Sequence, residues 1–382
     1  MNSLARPIAM HLPRKLTFGA DCAKQAAADL ASAGCRRVFC VSGPSTRAFS
    51  VPLRAPGVEW ADWSEVKQEP TIETLRQAMS AARDFRADAI VGLGGGSAMD
   101  VAKLVAALLD GKQEIRDVFG IGKLIGRSVH LICLPTTAGT GSEVSPNAIL
   151  LDENENLKKG VISPHLMPDA SYVDPMLTIG VPAAVTGATG MDALTHCIEA
   201  YANKFAHPLI DLYALEGIRL IAANLSAAVE DGKNLEARTA LALGSMYGGM
   251  CLGPVNTGAV HALAYPLGSE FHVPHGVSNA VLLPHVLEFN LPAAPDRYAS
   301  IAVALGAERG RDDRETAKRG LDLIRNLSRN VGIPARLSDL GVPDTAVERM
   351  ARAAMTVTRL LNLNVREVTL DDAIAIYRRA FL

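Results

Sequence analysis

Four residues in the second half of the chain have the types and spacing of a metal site. Asp192 and His196 are four residues apart in MDALTHCIEAY, which places a carboxylate and an imidazole on one face of a helix. With His261 and His275 they offer one oxygen and three nitrogen ligands, a set that suits Fe(II), Zn(II), Co(II) or Mn(II). One such pair alone would more simply be core histidines and a capping Asp. Four of them in apolar, charge-poor surroundings favour the metal site.

Two glycine-rich loops could bind a dinucleotide. Residues 94–97 (GGGS) lie between a strand pattern and a helix pattern, where bare N–H groups and a helix N-terminus can receive a diphosphate. Residues 134–143 also follow a strand pattern, and their hydroxyls can bond phosphate or ribose. Each loop alone is also compatible with an ordinary turn that binds nothing. Two such loops in one sheet predict nucleotide binding.

Alternating strand and helix patterns position these loops. Apolar runs at residues 34–42, 87–93 and 130–134 predict strands, and residues 21–33 and 99–109 predict helices. This alternation is typical of a parallel sheet with ligand loops at its carboxyl edge. Beyond about residue 178, helix patterns take over, at residues 182–202, 208–228, 234–251 and 317–331. We therefore predict an α/β dinucleotide-binding domain at residues 1–179 and an all-α metal-binding domain at residues 180–382.

Composition excludes several other classes of protein. The 382 residues are 49% hydrophobic with a formal net charge of −2, which gives no attraction to nucleic acid or to an anionic membrane. The six cysteines form no CxxC pair, so we expect buried, reduced thiols. Residues 239–269 carry no Asp, Glu, Lys or Arg, but glycines, a proline and a histidine interrupt them, which favours buried helices over a membrane span. The N-terminal residues lack the apolar core of a signal peptide, so we expect a cytoplasmic protein.

Four segments of the chain together resemble one enzyme family. They are GGGSAMDVAK at residues 94–103, PTTAGTGSEV at 135–144, GMDALTHCIEAY at 190–201, and HALAYPLG with HVPHG within 261–276. In this order they are similar to the iron-containing (group III) alcohol dehydrogenases, over essentially the whole chain. The resemblance implies a dehydroquinate synthase-like fold with an N-terminal dinucleotide-binding domain, a helical metal-binding domain and commonly a homodimer.

The resemblance also assigns roles to individual residues. The four residues of the spacing argument, Asp192, His196, His261 and His275, fall on the family's metal ligands. The positions implied at the cofactor are Gly95, Gly96, Ser97 and Asp100 near the diphosphate, Thr136, Thr137, Thr140 and Ser142 near the nicotinamide nucleotide, and Lys158 at the ribose.

Two positions depart from the family pattern. Many members carry a further histidine beside the substrate, four residues after the third ligand, where this chain has Tyr265. A phenol is a poorer proton shuttle than an imidazole at neutral pH. From the family pattern we expect Tyr265 and His275 to lie next to the substrate. Members that prefer NAD typically place an Asp at the end of the early strand, where this chain has Gly43. Because no carboxylate there repels a 2′-phosphate, we expect the enzyme to accept NADP(H) as well as NAD(H).

These observations predict a metal-dependent oxidoreductase that transfers a hydride between NAD(P)(H) and a small alcohol or aldehyde. The ion, Fe(II) with Zn(II) able to replace it, would act as a Lewis acid on the substrate oxygen. The alternative is a hydroxyacid–oxoacid transhydrogenase, or another family activity on a hydroxyacid semialdehyde, with which Tyr265 is compatible. Dehydroquinate synthesis and glycerol phosphate oxidation fit less well, because residues 239–269 supply no basic side chain for an anionic substrate. A nucleotide-binding protein without catalysis would not need all four ligands.

Overall fold

The computed structural model describes residues 3–155 and 157–382. Contacts separate the described chain into two compact units. One contains residues 10–137 and 141–180, and we call it the α/β unit. The other contains the described residues before Met10, residues 138–140 and residues 181–382, and we call it the helical unit.

The α/β unit is built on a six-stranded sheet in which every strand pair is parallel. Its strands are β1 (Lys15–Phe18), β2 (Arg37–Ser42), β3 (Glu59–Trp63), β4 (Ala89–Gly94), β6 (His130–Pro135) and β9 (Ala170–Val173), in the spatial order β1-β9-β6-β4-β2-β3. Its helices are α1 (Gln25–Ser32), α2 (Ile72–Asp84), α3 (Gly96–Leu108) and α4 (Ile115–Val118).

The register of the central strands places the loops that follow them side by side. β4 is buried along its whole length, and its successive residues alternate between two hydrophobic clusters on opposite faces of the sheet. A continuous apolar run fits a strand that is covered on both faces. Gly94 of β4 pairs with Pro135 of β6, and Ser42 of β2 pairs with Leu93. The loops after β2, β4 and β6 therefore begin at one edge of the sheet.

A smaller, three-stranded sheet is formed by one strand before the second glycine-rich loop and two strands after it. Its strands are β5 (Gly120–Ile121), β7 (Asn147–Asp152) and β8 (Leu157–Ile162). β7 and β8 form an antiparallel pair, and β5 joins β8 in parallel. Neither this sheet nor the short strands β1, β3 and β9 were predicted from the sequence.

The helical unit contains ten of the described α-helices. They are α5 (Ala183–Tyr201), α6 (Pro208–Glu230), α7 (Leu235–Leu252), α8 (Ala259–Phe271), α9 (His275–Asn290), α10 (Pro295–Ala304), α11 (Asp313–Asn330), α12 (Val347–Ala354), α13 (Thr358–Leu361) and α14 (Leu370–Arg379). Glycines let α5, α6 and α7 approach closely. A Cβ on Gly217 of α6 would lie 2.5 Å from Sγ of Cys197, and one on Gly244 of α7 would lie 2.6 Å from Cγ1 of Ile221.

The predicted fold class is confirmed: a parallel α/β unit is followed by a unit whose described residues from 181 onward form helices and a single isolated bridge, without a strand. The contacts divide the chain between Gly180 and Val181, apart from the segments named above. The domain limits at residues 179 and 180 themselves stay a prediction. All six cysteines are free and buried, as expected. α6 is long and apolar enough to cross a membrane by length and composition alone, a test that core helices also pass, and its Ile210, Ile218 and Ile221 are buried.

Candidate metal and cofactor sites

Three helices bring the four predicted metal ligands together. Asp192 and His196 lie one turn apart on α5, His261 lies in the first turn of α8, and His275 is the first residue of α9. The Oδ1 atom of Asp192 is 3.6 Å from Nε2 of His261 and of His275, and 4.0 Å from Nε2 of His196. One ligand atom from each residue lies within 4.8 Å of the others. Such separations suit atoms that share one ion at about 2.1 Å.

The burial of this cluster fits a bound cation. Asp192, His196 and His261 are almost fully buried, whereas the His275 side chain is 30% exposed. The Nε2 atom of His261 is buried and has no hydrogen-bond partner. A buried polar atom without a partner costs free energy unless a ligand satisfies it. The residues present therefore fit a divalent ion, and the exposed part of His275 leaves one side of the cluster accessible.

Burial and neighbouring charges shift the pKa values of the cluster residues. Burial alone would raise the pKa of Asp192, but the three histidines hold that pKa far below its usual range. Burial lowers the pKa of His196. Burial would also lower the pKa of His261, but Asp192 and Glu199 raise it to about 9. A metal ion that binds His261 must displace this proton, so metal affinity is expected to depend on pH.

Two of the histidines have hydrogen-bond partners behind their metal-facing nitrogens. The Nδ1 atom of His261 is 2.6 Å from Oε2 of Glu199, and Nδ1 of His196 is 3.3 Å from the carbonyl oxygen of Gly139. Such contacts fix the orientation of an imidazole ring and leave the opposite nitrogen for the metal. Gly139 belongs to the second glycine-rich loop, in the segment that groups with the helical unit.

Asn279 on α9 contacts the other two ligands. Its Nδ2 atom donates to Oδ1 of Asp192 at 2.6 Å and lies 3.2 Å from Nε2 of His275. Glu199, Gly139 and Asn279 were not predicted from the sequence as partners of the ligands. Asn279 is four residues after His275, and Glu199 is seven residues after Asp192, so helical spacing could have indicated both.

Close backbone packing holds α9 against α5. A Cβ at Gly276 would overlap the carbonyl oxygen of Ala188 in α5, so glycine at this position lets the adjacent His275 approach the cluster. Tyr265 lies one turn after His261 on α8, and its ring centroid is 6.5 Å from that of His275. The structure thus brings Tyr265 and His275, the two predicted catalytic residues, close together.

The first glycine-rich loop opens helix α3. Gly94 has a φ of 155°, and a Cβ there would lie only 2.8 Å from Cβ of Ala98. Gly95 is the N-cap of α3, and Gly96 and Ser97 lie in its first turn. The first N–H groups of a helix have no acceptor within the helix, which makes such a turn suitable for a phosphate group.

The second loop lies against the first. The N–H of Thr136 donates to the carbonyl oxygen of Gly94 at 2.9 Å, and a Cβ on Gly95 would be 3.4 Å from Oγ1 of Thr137. Thr136 and Thr137 are therefore brought beside the turn that opens α3. Thr140, also predicted at the cofactor, groups with the helical unit.

Asp100 and Lys103 of α3 hold the segment that follows the second loop. Oδ1 of Asp100 accepts a hydrogen bond from Oγ of Ser142 at 2.6 Å, and Oδ2 accepts one from the N–H of Ile149 at 2.9 Å. Lys103 is fully buried, and its Nζ donates to two carbonyl oxygens of the same segment at 2.9 Å each. Burial raises the pKa of Asp100 and lowers that of Lys103. The predicted cofactor residues Asp100 and Ser142 are thus bonded to each other.

Gly43 lies half-buried directly after β2. A Cβ at this position would be 3.4 Å from the carbonyl oxygen of Val66, an ordinary contact, so a side chain fits there. The neighbouring Ser42 is fully buried, and its Oγ is 2.8 Å from Oγ of Ser64. The hydroxyl of Ser42 is therefore enclosed beside Ser64 and has no exposure to solvent.

Lys158 lies on β8, in the smaller sheet. Its Nζ forms an ion pair with Oε2 of Glu69 at 2.6 Å, and its side chain is only 8% exposed. A ribose would compete with this ion pair for the ammonium group. The role of Lys158 at the ribose stays a prediction.

Known proteins match the chain along most of its length. The family model for iron-containing alcohol dehydrogenases matches residues 13–175, and the model for the C-terminal part of the Fe-containing alcohol dehydrogenase family matches residues 186–381. The 1,3-propanediol dehydrogenase of Klebsiella pneumoniae is 39% identical over 330 residues, which are 86% of this chain and 85% of that protein.

Solved structures agree with the sequence matches. A structure of 1,3-propanediol oxidoreductase has a TM-score of 0.95 at 36% identity and covers 98% of this chain and 100% of its own. The sulfoacetaldehyde reductase of Bifidobacterium kashiwanohense, solved in complex with NAD+, has a TM-score of 0.89 at 26% identity and covers 98% of this chain and 99% of its own. The chain therefore belongs to the iron-containing alcohol dehydrogenase family, and it is an oxidoreductase that acts on alcohols or aldehydes.

Proposed function

We propose that this enzyme interconverts small alcohols and aldehydes with NAD(H) or NADP(H), at a divalent ion bound by Asp192, His196, His261 and His275. The observation that carries the proposal is the cluster of these four residues, three of them buried, whose ligand atoms lie within 4.8 Å of one another. The similar proteins described above are named for 1,3-propanediol and for sulfoacetaldehyde, which supports a small substrate.

The metal ligands, together with Tyr265, would determine how the substrate binds. When bound, the ion supplies a Lewis acid for the substrate oxygen and the nicotinamide supplies or accepts the hydride. The single carboxylate of Asp192 neutralises only part of a divalent charge, so the ligand set leaves the site positive and favours a polarised carbonyl oxygen. Tyr265 and His275 are the groups we propose to lie next to the substrate, where the Tyr265 hydroxyl can donate or accept a hydrogen bond.

We propose Fe(II) as the active ion, with Zn(II) able to occupy the site. The donor set of one oxygen and three nitrogens contains no thiolate. Cys197 is next to His196 in the chain, but its sulfur packs against Gly217 and Gly248 of the neighbouring helices. Activity that Zn(II) restores and anaerobic Fe(II) never restores would contradict this preference.

We propose that both nicotinamide dinucleotides bind at the two glycine-rich loops. The proposal is supported by the contact between Thr136 and the first loop and by the open N-terminus of α3. Acceptance of NADP(H) is supported by Gly43, since no carboxylate stands at the end of β2.

We also propose a homodimer in the cytoplasm. The dimer rests on the family, and sedimentation velocity would measure it. Six free and buried thiols are typical of a protein from a reducing compartment.

The test uses the full chain, stripped of metal and reconstituted with Fe(II) without oxygen, or with Zn(II). The wild type is assayed on a panel of small aldehydes with NADH and with NADPH, and its metal content is measured by elemental analysis. A double variant, His261→Ala with His275→Ala, should lose both metal and activity. His285→Ala removes a half-buried histidine of α9 outside the cluster and should retain both. Full stoichiometric metal in a soluble double variant would show that the ligand assignment is wrong.

A further inference from the structure

We propose that Glu199 is a positioning residue for the metal centre: it holds His261 in the tautomer that presents Nε2 to the ion and thereby sets the affinity for divalent metal. The inference rests on the proposed function, because it assumes that His261 is a ligand.

Both carboxylate oxygens of Glu199 are occupied by donors from the start of α8. Oε1 accepts a hydrogen bond from the N–H of Val260 at 2.6 Å, and Oε2 lies 2.6 Å from Nδ1 of His261. Glu199 is itself only 6% exposed, so these contacts form away from water. Hydrogen bonds to an ionised acceptor in such surroundings are short and strong.

These contacts decide which nitrogen of His261 carries a proton. A backbone N–H can only donate, and an ionised carboxylate can only accept. With Oε1 held by Val260, Oε2 accepts from Nδ1–H of the imidazole. The nitrogen left for a metal is Nε2, which is buried without a hydrogen-bond partner and faces Oδ1 of Asp192 at 3.6 Å.

The same carboxylate also fixes where the ring lies. Val260 and His261 are in the first turn of α8, whose N–H groups lack acceptors within the helix. By accepting from this turn, Glu199 ties the start of α8 to α5, the helix that carries Asp192 and His196. The backbone that bears His261 and the ring itself are thus held by one group. His196, in contrast, has a neutral carbonyl acceptor, Gly139, at the longer distance of 3.3 Å.

Glu199→Gln tests the proposal with almost no change in shape. One of the two terminal atoms of glutamine is an NH2 donor, so either Val260 or His261 would face a donor instead of an acceptor. We expect the Kd for Zn(II) and for Co(II) to rise about 10- to 100-fold, as is usual when the partner behind a ligating histidine is lost. The measurement is a chelator competition on the metal-free full chain, with the visible spectrum of the Co(II) form as a second readout of ligand geometry.

Thr195→Val is the matched control. Thr195 is on the same helix, is fully buried and donates one hydrogen bond, to the carbonyl oxygen of Met191 at 2.7 Å. It should keep wild-type metal affinity, while thermal unfolding of both metal-free variants reports any general loosening of the helical unit.

The outcomes separate this inference from the proposed function. A wild type that binds no divalent metal would overturn the proposed function. A wild type that binds metal and a Glu199→Gln variant with the same Kd and Co(II) spectrum would overturn only the role of Glu199. Equal losses of affinity in Glu199→Gln and Thr195→Val would also overturn it, because packing alone would then explain the effect. If Glu199→Gln does not fold, Glu199→Asp replaces it: its shorter carboxylate cannot reach both donors, so unchanged affinity would again refute the proposal.

Discussion

Replacing Asp100 with Asn should loosen the second glycine-rich loop from inside the protein. The family resemblance implies that Asp100 lies near the cofactor diphosphate. Its two oxygens, however, accept hydrogen bonds from Ser142 Oγ at 2.6 Å and from the N–H of Ile149 at 2.9 Å. We therefore expect the variant to weaken cofactor binding through the position of the loop, and to lower the stability of the α/β unit at the same time.

The size of the effect follows from these contacts. A hydrogen bond to a charged group contributes about 1.5–3 kcal/mol, and Asn can accept through only one of its two terminal atoms. The buried ammonium of Lys103 also loses the negative charge that opposes the lowering of its pKa by burial. Together these losses should reduce the free energy of unfolding by about 2–4 kcal/mol. If the loop needs about 1.4 kcal/mol more free energy to reach its cofactor-binding conformation, the Kd for NADH rises tenfold.

Two measurements on the full chain test this reasoning. Urea unfolding of the metal-free protein gives the change in stability, and a fluorescence titration gives the Kd for NADH. Asp117→Asn, an exposed substitution in α4 of the same unit, is the control and should change neither. An Asp100→Asn variant of wild-type stability that binds NADH weakly would assign Asp100 to the cofactor itself and refute the loop argument.

Two further predictions concern cofactor choice and pH. Gly43→Asp should lower kcat/KM for NADPH more than for NADH, because a carboxylate there would repel the 2′-phosphate. The difference corresponds to about 1–3 kcal/mol of transition-state free energy. Gly43→Asn is the uncharged control, and equal effects of Gly43→Asp on both cofactors would contradict the assignment. Burial raises the pKa of Glu143 from 4.5 to about 7, so the folded chain binds this proton more tightly than the unfolded chain does. Its contribution to stability is complete below about pH 4.5 and is lost as the pH rises through 7, so Glu143→Gln should stabilise the protein by up to about 3 kcal/mol at pH 8 and hardly at all at pH 4.5. Urea midpoints of the two proteins at both pH values measure this, and an equal difference at both would count against it.

The strands that the sequence predicted are those with continuous apolar runs. β2, β4 and β6 lie inside the sheet, where burial on both faces requires such runs. β3 has the sequence EWADW, with charged residues that an edge strand tolerates, and β1 and β9 have four residues each. In β7 the buried and half-buried residues alternate, but the half-buried positions include the apolar Ile149 and Leu151. Apolar and polar residues therefore do not alternate along the sequence of this strand. Short length and the apolar half-exposed face explain why these strands were missed.

The sequence could predict that Asp192 and His196 lie together at the candidate metal site, but it could not predict every contact that orients the side chains there. Asp192 and His196 share one face of a helix, a local pattern that needs no tertiary information. Glu199 lies on the same face two turns after Asp192, outside the i, i+4 pair that Asp192 forms with His196. The contact of Gly139 with His196 joins residues 57 positions apart, and no local pattern contains it.

Two glycines near the metal cluster are required by helix α5 rather than by a turn. A Cβ at Gly139 would lie 2.8 Å from Cβ of Thr189 in α5. A Cβ at Gly276 would overlap the carbonyl oxygen of Ala188, the residue before Thr189. Neither glycine has a positive φ, so backbone freedom is not the reason for either. Both segments approach α5 at the same place, about one turn before Asp192, and one brings His275 while the other brings the acceptor for His196. Gly139, in the loop whose hydroxyls the sequence assigns to a phosphate or ribose, is therefore needed for the geometry of the metal ligands.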